Sequence, residues 1–438
     1  MSVSIFAFRR RRLPLGGAVL AICLVSLTVA RAEEATSYNP TGALTLRDVL
    51  SAVLSSSPEL APYSAEIRAR EGRTLQAGLL PNPEIGTEVE DFAGSGAQSG
   101  FKSAQTTVSL SQLVELGGKR SKRLRVASLD RDLAQWDYEV ARLDVFSRAT
   151  KAFVATVAAQ QHLAIADEAV RLSDTAIDAL KAQVHVGAVS PVESLRAGVV
   201  RGRAESDRLE AQRELADAKI NLAATWGATV PTFSTVEADI DDTREPPPLA
   251  ALVERIASNP DLARWASEIA QREAVIQLEK AAAVPDFTAG LGARHYSETN
   301  DGALVFGFSA PLPVFNRNQG AIIEAQQQYV KAKAEQAVVE VAVNTALATN
   351  YQNLRTAYDQ ARLLREKTIP QARSAYEGAL DAYRKGLFRY IEALDAQRTL
   401  FELREEYLRA LVAYHNAAAD IERLTGVALD PHSLNEEL

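Results

Sequence analysis

Residues 119–185 read KRSKRLRVASLDRDLAQWDYEVARLDVFSRATKAFVATVAAQQHLAIADEAVRLSDTAIDALKAQVH and contain neither proline nor glycine. At a rise of 1.5 Å per residue, a helix over this segment is about 100 Å long. Leu129, Leu133, Trp136 and Val140 recur in steps of four, three and four, which is the spacing of helices that pack side by side. A helix of this length does not fold back into a compact globule. Its length therefore predicts a coiled coil, a spacer or one of the helices in the wall of a larger barrel.

A second segment of the same kind runs from 319 to 385, with Pro370 as its one proline. Other motifs also occur twice. Pro58 returns as Pro260 in a matching four-residue motif, and toward the end of each half Gly187 and Glu193 return as Gly386 and Glu392. Such self-similarity indicates an internal duplication.

The duplication predicts the division of the chain. We expect a first repeat at 33–227, a linker at 228–248, a second repeat at 249–426 and a C-terminal tail at 427–438. Each repeat has a β-hairpin followed by two long helices. The predicted hairpins span about 84–115 and about 285–313, and the predicted helices span 119–185, 190–226, 319–385 and 389–425.

The hairpins show apolar and polar residues in alternation. Ile85 and Val89 alternate with Glu84, Glu88 and Glu90 in the first strand. Alternation over about ten residues is typical of a membrane β-barrel, and a half-buried soluble sheet has the same period. Four strands cannot close a barrel alone, so a membrane role requires self-association, and three copies would give twelve strands.

The first 32 residues predict a secretory signal peptide. A cationic block, Arg9 to Arg12, precedes the apolar run from Leu13 to Val29, and Ala30-Arg31-Ala32 provides small residues for cleavage. As an alternative, Cys23 lies in a weak lipoprotein box and would then carry a lipid. Cleavage after Ala32 would leave a mature chain without cysteine.

Composition and motifs argue against several functions. The chain has 48 Lys and Arg against 56 Asp and Glu, and an acidic chain binds nucleic acid poorly. Its five histidines lack the spacing of metal ligands. The segment 115–121 lacks the leading glycine of a phosphate loop. We therefore expect no catalytic residues, no metal site, no cofactor and no enzyme activity.

Several segments resemble a known family. They are Leu79-Leu80-Pro81-Asn82-Pro83, Leu116-Gly117-Gly118-Lys119-Arg120, Pro313-Val314-Phe315-Asn316-Arg317-Asn318-Gln319-Gly320, Tyr383-Arg384-Lys385-Gly386 and Leu394-Asp395-Ala396-Gln397-Arg398-Thr399-Leu400. Over its mature length the chain resembles the TolC family of outer-membrane factors, and most of all the outer-membrane subunits of cobalt-zinc-cadmium efflux systems.

The resemblance implies a mainly helical fold with a small β part. Three protomers would build one twelve-stranded β-barrel in the outer membrane and an α-barrel of long antiparallel helices through the periplasm. The implied partners are two further copies of the chain, outer-membrane lipid, a periplasmic adaptor protein and an inner-membrane transporter of the RND type.

The resemblance also implies a closed periplasmic tip made of two helix-to-helix turns, 186–190 and 385–389. Residues matching the acidic ring and closing network of the family form the predicted gate: Glu392, Asp395, Glu193 and Tyr383. Residues matching the adaptor-contacting tip are Gly187, Ser190, Gly386, Phe388 and Arg389. Phe388 stands where some members have an arginine, so the closing network differs here.

The function implied is passive conduction of substrate, with divalent heavy-metal cations as the expected cargo. Two alternatives within the class are multidrug efflux and type I protein secretion. From another class, the chain could be a periplasmic coiled-coil scaffold without a pore. A scaffold would need neither alternating strands nor duplicated hairpins.

Overall fold

The computed structural model describes residues 39–187, 189–257 and 259–427. The predicted signal peptide, Cys23 and residues 428–438 of the predicted tail lie outside the described residues. Helices dominate the described chain and strands form a small part of it, which confirms the predicted mainly helical fold class.

The helices follow the same order in both halves. In the first half they are α1 (Leu46–Ser56), α2 (Ala61–Ala77), α3 (Lys119–His185) and α4 (Pro191–Ala224). In the second half they are α5 (Leu249–Ile256), α6 (Pro260–Ala282), α7 (Gln319–Leu363), α8 (Ile369–Arg384) and α9 (Tyr390–Thr425). In the described parts of the chain, no helix is both long and apolar enough to cross a bilayer.

Over the residues that the structure describes, six strands form two sheets. The strands are β1 (Gly42–Leu44), β2 (Glu84–Glu90), β3 (Gln105–Val114), β4 (Phe233–Val236), β5 (Phe287–Tyr296) and β6 (Asp301–Ser309). The larger sheet has the order β2-β3-β5-β6 and is antiparallel throughout. The two predicted hairpins are therefore joined edge to edge. Within the described residues, β2 and β6 each keep one edge without a strand partner.

The strand register gives this sheet one apolar and one polar face. One row across the four strands aligns Ile85, Leu110, Leu291 and Phe306, all exposed. Side chains alternate between faces along a strand, so rows with the opposite parity lie on the other face. That polar face includes the row Glu90, Gln105, Tyr296 and Asp301.

The second long rod is helical without a break from Gln319 to Arg384, near the predicted 319–385, but it is not α-helical throughout. A π-helical turn, Leu364–Thr368, separates α7 from α8. Pro370 follows directly, and a proline inside an α-helix removes one backbone donor and clashes with the carbonyl four residues earlier. The wider π turn places that proline near the start of α8, where it is tolerated.

The predicted linker 228–248 contains β4, which pairs in parallel with β1. Trp226, Phe233 and Ile240 are buried in the largest apolar core, which we call the equatorial core, together with residues of α1, α3 and α9. The hydroxyl of Tyr407 in α9 donates to Asp241 at 2.7 Å. The segment is therefore fastened to the helices around the middle of the molecule.

Candidate functional site

The two helix-to-helix turns lie at the end of the long helices away from the sheet. The first, 186–190, joins α3 to α4, and the second, 385–389, joins α8 to α9. Gly187 and Gly386 have φ angles of +70° and +72°, a left-handed conformation that favours glycine. In the second turn the Leu387 amide donates to the Ala382 carbonyl at 2.9 Å, as in a glycine-terminated helix.

The helices that follow the turns begin differently. The Ser190 hydroxyl accepts from the Val192 amide at 3.3 Å and so caps α4, with Pro191 as its first residue. Arg389 precedes α9 and offers no side-chain cap. Serine is a favourable N-cap because its oxygen satisfies an unpaired amide, and arginine has no acceptor atom.

Side chains from all four helices meet beside the turns in a small apolar cluster, the tip core. Its buried members are Leu180 of α3, Ala197 of α4, Tyr383 of α8 and Tyr390 of α9. The rings of the two tyrosines lie 5.3 Å apart in a tilted arrangement, a geometry that aromatic pairs favour. The cluster joins the α3–α4 hairpin to the α8–α9 hairpin.

A hydrogen bond crosses the same junction. The Tyr383 hydroxyl donates to Gln183 Oε1 in α3 at 2.6 Å. Burial raises the pKa of Tyr383, and the nearby Glu193 carboxylate raises this pKa further. Burial also raises the pKa of Tyr390 to about 12. Both hydroxyls therefore stay protonated near neutral pH, and Tyr383 remains a hydrogen-bond donor.

The predicted acidic residues divide into two groups. Glu193 lies near Tyr383 and forms an ion pair with Arg196 at 3.3 Å. Glu392 is in the first turn of α9, and its nearest cation is Arg389 at 3.6 Å. Arg389 is largely exposed, so solvent screens this pair and its effect is small.

Asp395 lies one helical turn after Glu392 and is exposed. In helices, residues three apart share a face. One carboxylate oxygen of Glu392 is buried without a hydrogen-bond partner. In the described chain, the start of α9 therefore has two acids, each with an arginine nearby. Arg389 lies beside Glu392, and Arg398 lies near Asp395, since Glu402 raises the pKa of Arg398 and the Asp395 carboxylate raises this pKa further.

The outer surface of the two turns carries exposed apolar side chains and two exposed cations, Lys385 and Arg389. Val186, Leu387 and Phe388 are exposed, and Arg389 is exposed beside them. In the protomer, no side chain of the described residues covers these apolar groups. Large exposed apolar groups on a rigid turn are typical of a protein contact surface.

Two residues of this site were missed by the sequence analysis. Tyr390 completes the tip core, and its signal was an aromatic residue directly at the predicted start of the second return helix. Gln183 accepts the Tyr383 hydrogen bond, and it had no signal because the matching position of the second half is Ala382. Among the residues whose placement is described, no group of three or more His, Cys, Asp or Glu could hold a metal ion.

Comparison with known proteins identifies the family. The family model described as outer membrane efflux protein matches residues 49–228 and 251–427. The chain belongs to this family. The TolC-type resemblance is thereby confirmed, and the protein is an outer-membrane efflux channel, not an enzyme, whose helices extend into the periplasm.

Individual relatives cover nearly the whole chain. The cobalt-zinc-cadmium resistance protein CzcC of Cupriavidus metallidurans is 32% identical over 95% of this chain and 100% of its own length. The pyoverdine export outer membrane protein OpmQ of Pseudomonas putida is 25% identical over 85% of this chain and 83% of its own.

Among solved structures, CusC matches with a TM-score of 0.72 at 19% identity, covering 90% of this chain and 96% of that chain. Its crystal structures concern folding and transmembrane channel formation. At this identity the likeness shows the fold. It confirms the predicted TolC-type architecture.

Proposed function

We propose that this chain is the outer-membrane subunit of a tripartite efflux pump and that, as a homotrimer, it passively conducts divalent heavy-metal cations. A periplasmic adaptor and an inner-membrane RND transporter deliver the cargo to its tip. The observation that carries the proposal is the four-stranded sheet with two open edges, one apolar face and one polar face.

The open edges favour three copies around one axis. Unpaired backbone groups are costly in lipid, so β2 of one protomer is expected to pair with β6 of the next. Three sheets of four strands then close a twelve-stranded barrel. Exposed apolar residues along the sheet, such as Leu304 with 91% exposure, face lipid, and the polar rows face the lumen.

The helical part supports the same assembly. Exposed apolar residues recur along α7, and none of the described residues of the protomer covers them: Ile323, Val330, Val338 and Val341. Within the chain, α7 packs against α6 and α9, so these residues lie on a free side of the rod. A neighbouring copy that packs here would bury them and continue the ring of helices.

The acids at the start of α9 support a cation gate. With threefold symmetry, Glu392 and Asp395 would form a ring of six carboxylates at the tip. Rings of acidic side chains favour cations in channels. The Tyr383–Gln183 bond and the tip core hold α8–α9 against α3–α4 in the protomer, so the gate is expected to open when these contacts part.

The cargo proposal rests on relatives. CzcC is a cobalt-zinc-cadmium resistance protein and covers essentially the whole chain. OpmQ, at lower identity, exports pyoverdine, which keeps organic export as the second candidate.

The test is the tolerance of a deletion strain to zinc, cobalt, cadmium, copper, nickel, dyes and antibiotics. We expect selective sensitivity to divalent metals, restored by the intact gene. A gene that lacks codons 2–32 is the matched control, and it should not restore tolerance because its product is not exported. Sensitivity to dyes and antibiotics with normal metal tolerance would contradict the metal cargo and favour multidrug export.

A further inference from the structure

The contact between α3 and the second return helix, α9, is uneven along its length. The equatorial core reaches Ala158 in α3 and Leu403 in α9, and the tip core begins at Ala176 and Leu394. No residue of α3 between Ala158 and Ala176 belongs to either core. The buried residues of α3 in this stretch are small, such as Ala166 with 5% exposure, and the large buried side chains of the two cores lie above and below it.

One ion pair joins α3 to α9 along this stretch. Arg404 Nη1 of α9 lies 2.7 Å from Glu168 Oε2 of α3. At 1.5 Å per residue, Glu168 is about 25 Å above the end of α3 at the tip. Two other ion pairs join the same helices higher up, Arg423 with Asp144 and Lys151 with Asp420. In the described residues, Arg404–Glu168 is thus the ion pair between α3 and α9 that lies nearest the tip.

Arg404 is held from two sides. Its side chain is 19% exposed, and its guanidinium carbon lies 5.5 Å from the centroid of the Phe401 ring, within the range of a cation–π contact. Tyr376 of α8 is close to Glu168, because that carboxylate contributes to the raised pKa of the tyrosine after burial. Glu168 thus pairs with Arg404 of α9 and acts electrostatically on Tyr376 of α8.

We propose that Arg404 and Glu168 form a second latch, in addition to the Tyr383–Gln183 hydrogen bond. When α3 separates from α8–α9 at the tip, this latch limits how far up the helices the separation extends. Both are positioning residues, since neither lies at the acidic start of α9. The proposal rests on the proposed gating at the tip. When the Tyr383 hydrogen bond parts, the helices separate up to this ion pair and are held there by it.

The test is single-channel recording of the mature trimer in planar bilayers. A half-exposed ion pair contributes little alone, so the effect is sought where the tip bond is already absent. We expect Tyr383→Phe/Arg404→Gln to lengthen the mean open time roughly fivefold beyond Tyr383→Phe alone. Glu168→Gln should act as Arg404→Gln does and serves as a second disruption of the pair.

Two further variants separate the latch from a general loss of charge. The exchange Glu168→Arg/Arg404→Glu in the Tyr383→Phe background should return the open time to that of Tyr383→Phe. Arg409→Gln is the matched control, because Arg409 pairs with Glu405 in the same helix at 3.8 Å and is 69% exposed. It should leave the open time unchanged.

The latch is contradicted if Arg404→Gln and Glu168→Gln leave the open time of Tyr383→Phe unchanged. It is equally contradicted if the exchange variant behaves like Arg404→Gln, or if Arg409→Gln has the same effect. Absence of any conductance from wild-type trimers would instead contradict the proposed channel. The two failures are thus distinguishable in one set of recordings.

Discussion

The long rods of the two halves arise from one duplicated pattern, yet they are supported differently. The first, α3, packs against α2, α4, α6 and α9. The second is interrupted by the π turn 364–368, and its lower part, α8, packs mainly against α9. The duplication thus gives one uninterrupted α-helix in the first half, α3, which we call the spine. In the second half the lower part of the rod, α8, which we call the arm, is held to the spine near the tip by the tip core and one hydrogen bond.

The largest effect is expected from a proline that breaks α3, the spine. Ala166 is buried in the middle of α3, and a proline there costs about 3 kcal/mol or more. We expect Ala166→Pro to abolish heat-resistant trimers in outer-membrane fractions on gels. Pro370→Ala in the second rod is the matched control and should leave the trimer yield unchanged. Wild-type yield of Ala166→Pro would show that α3 is not the spine.

The next effect concerns pH at the junction of spine and arm. The pKa of Tyr390 is about 12 in the folded protein, against 10.0 ordinarily. The unfolded or detached tyrosine thus loses its proton first, so stability is complete below about pH 10 and falls as pH rises toward about 12. A shift of this size corresponds to the order of 2 kcal/mol.

Tyrosinate absorbance during an alkaline titration of the purified trimer measures this effect. We expect one tyrosine fewer per protomer to titrate late in Tyr390→Phe than in the wild type, while Tyr407 titrates late in both because burial and Asp241 raise its pKa. If the tyrosine lost in Tyr390→Phe titrates near the ordinary pKa of 10.0, Tyr390 is not buried and does not hold the arm.

A smaller effect follows from the single hydrogen bond across the junction. Tyr383→Phe keeps the ring in the tip core and removes the donor to Gln183, a loss of about 1 kcal/mol. We expect the open probability in planar bilayers to rise roughly fivefold. Tyr329→Phe in α7 is the matched control, because Tyr329 lies in the upper part of the same rod, outside the tip core. Equal currents from Tyr383→Phe and wild type would mean that the bond does not hold the arm.

The smallest effect compares the two helix starts. Arg389→Ser would give α9 the cap that Ser190 gives α4, worth about 0.5–1 kcal/mol. We expect slower proteolysis at the second turn and no change at the first. Ser190→Ala should have the opposite effect at the first turn. Unchanged cleavage in both variants would indicate that capping does not distinguish the hairpins.

Much of this architecture could be predicted because its signals are local. Gly187 and Gly386 mark the ends of helices by their backbone freedom, and alternation marks all four strands of the larger sheet. The π turn could not be predicted because it differs from an α-helical turn by only one residue. The spacing of apolar residues along this rod is too irregular to reveal so small a change. Pro370 pointed to the place but not to the local geometry.

Contacts between distant segments could not be predicted. The pairing of Gly42–Leu44 with Phe233–Val236 joins segments far apart in sequence, and neither has a pattern that specifies its partner. The acceptor role of Gln183 depends on how α3 and α8 are aligned, which follows from packing along the whole rod. The roles of Glu193, Glu392 and Asp395 in a gate stay a prediction.

Single-channel recording of Glu392→Ala/Asp395→Ala beside the wild type, under a salt gradient, tests most directly whether the start of α9 forms the gate. We expect the wild-type trimer to prefer cations and the variant to carry larger currents with that preference lost. Wild-type conductance and cation preference in the double variant would contradict a gate at this place.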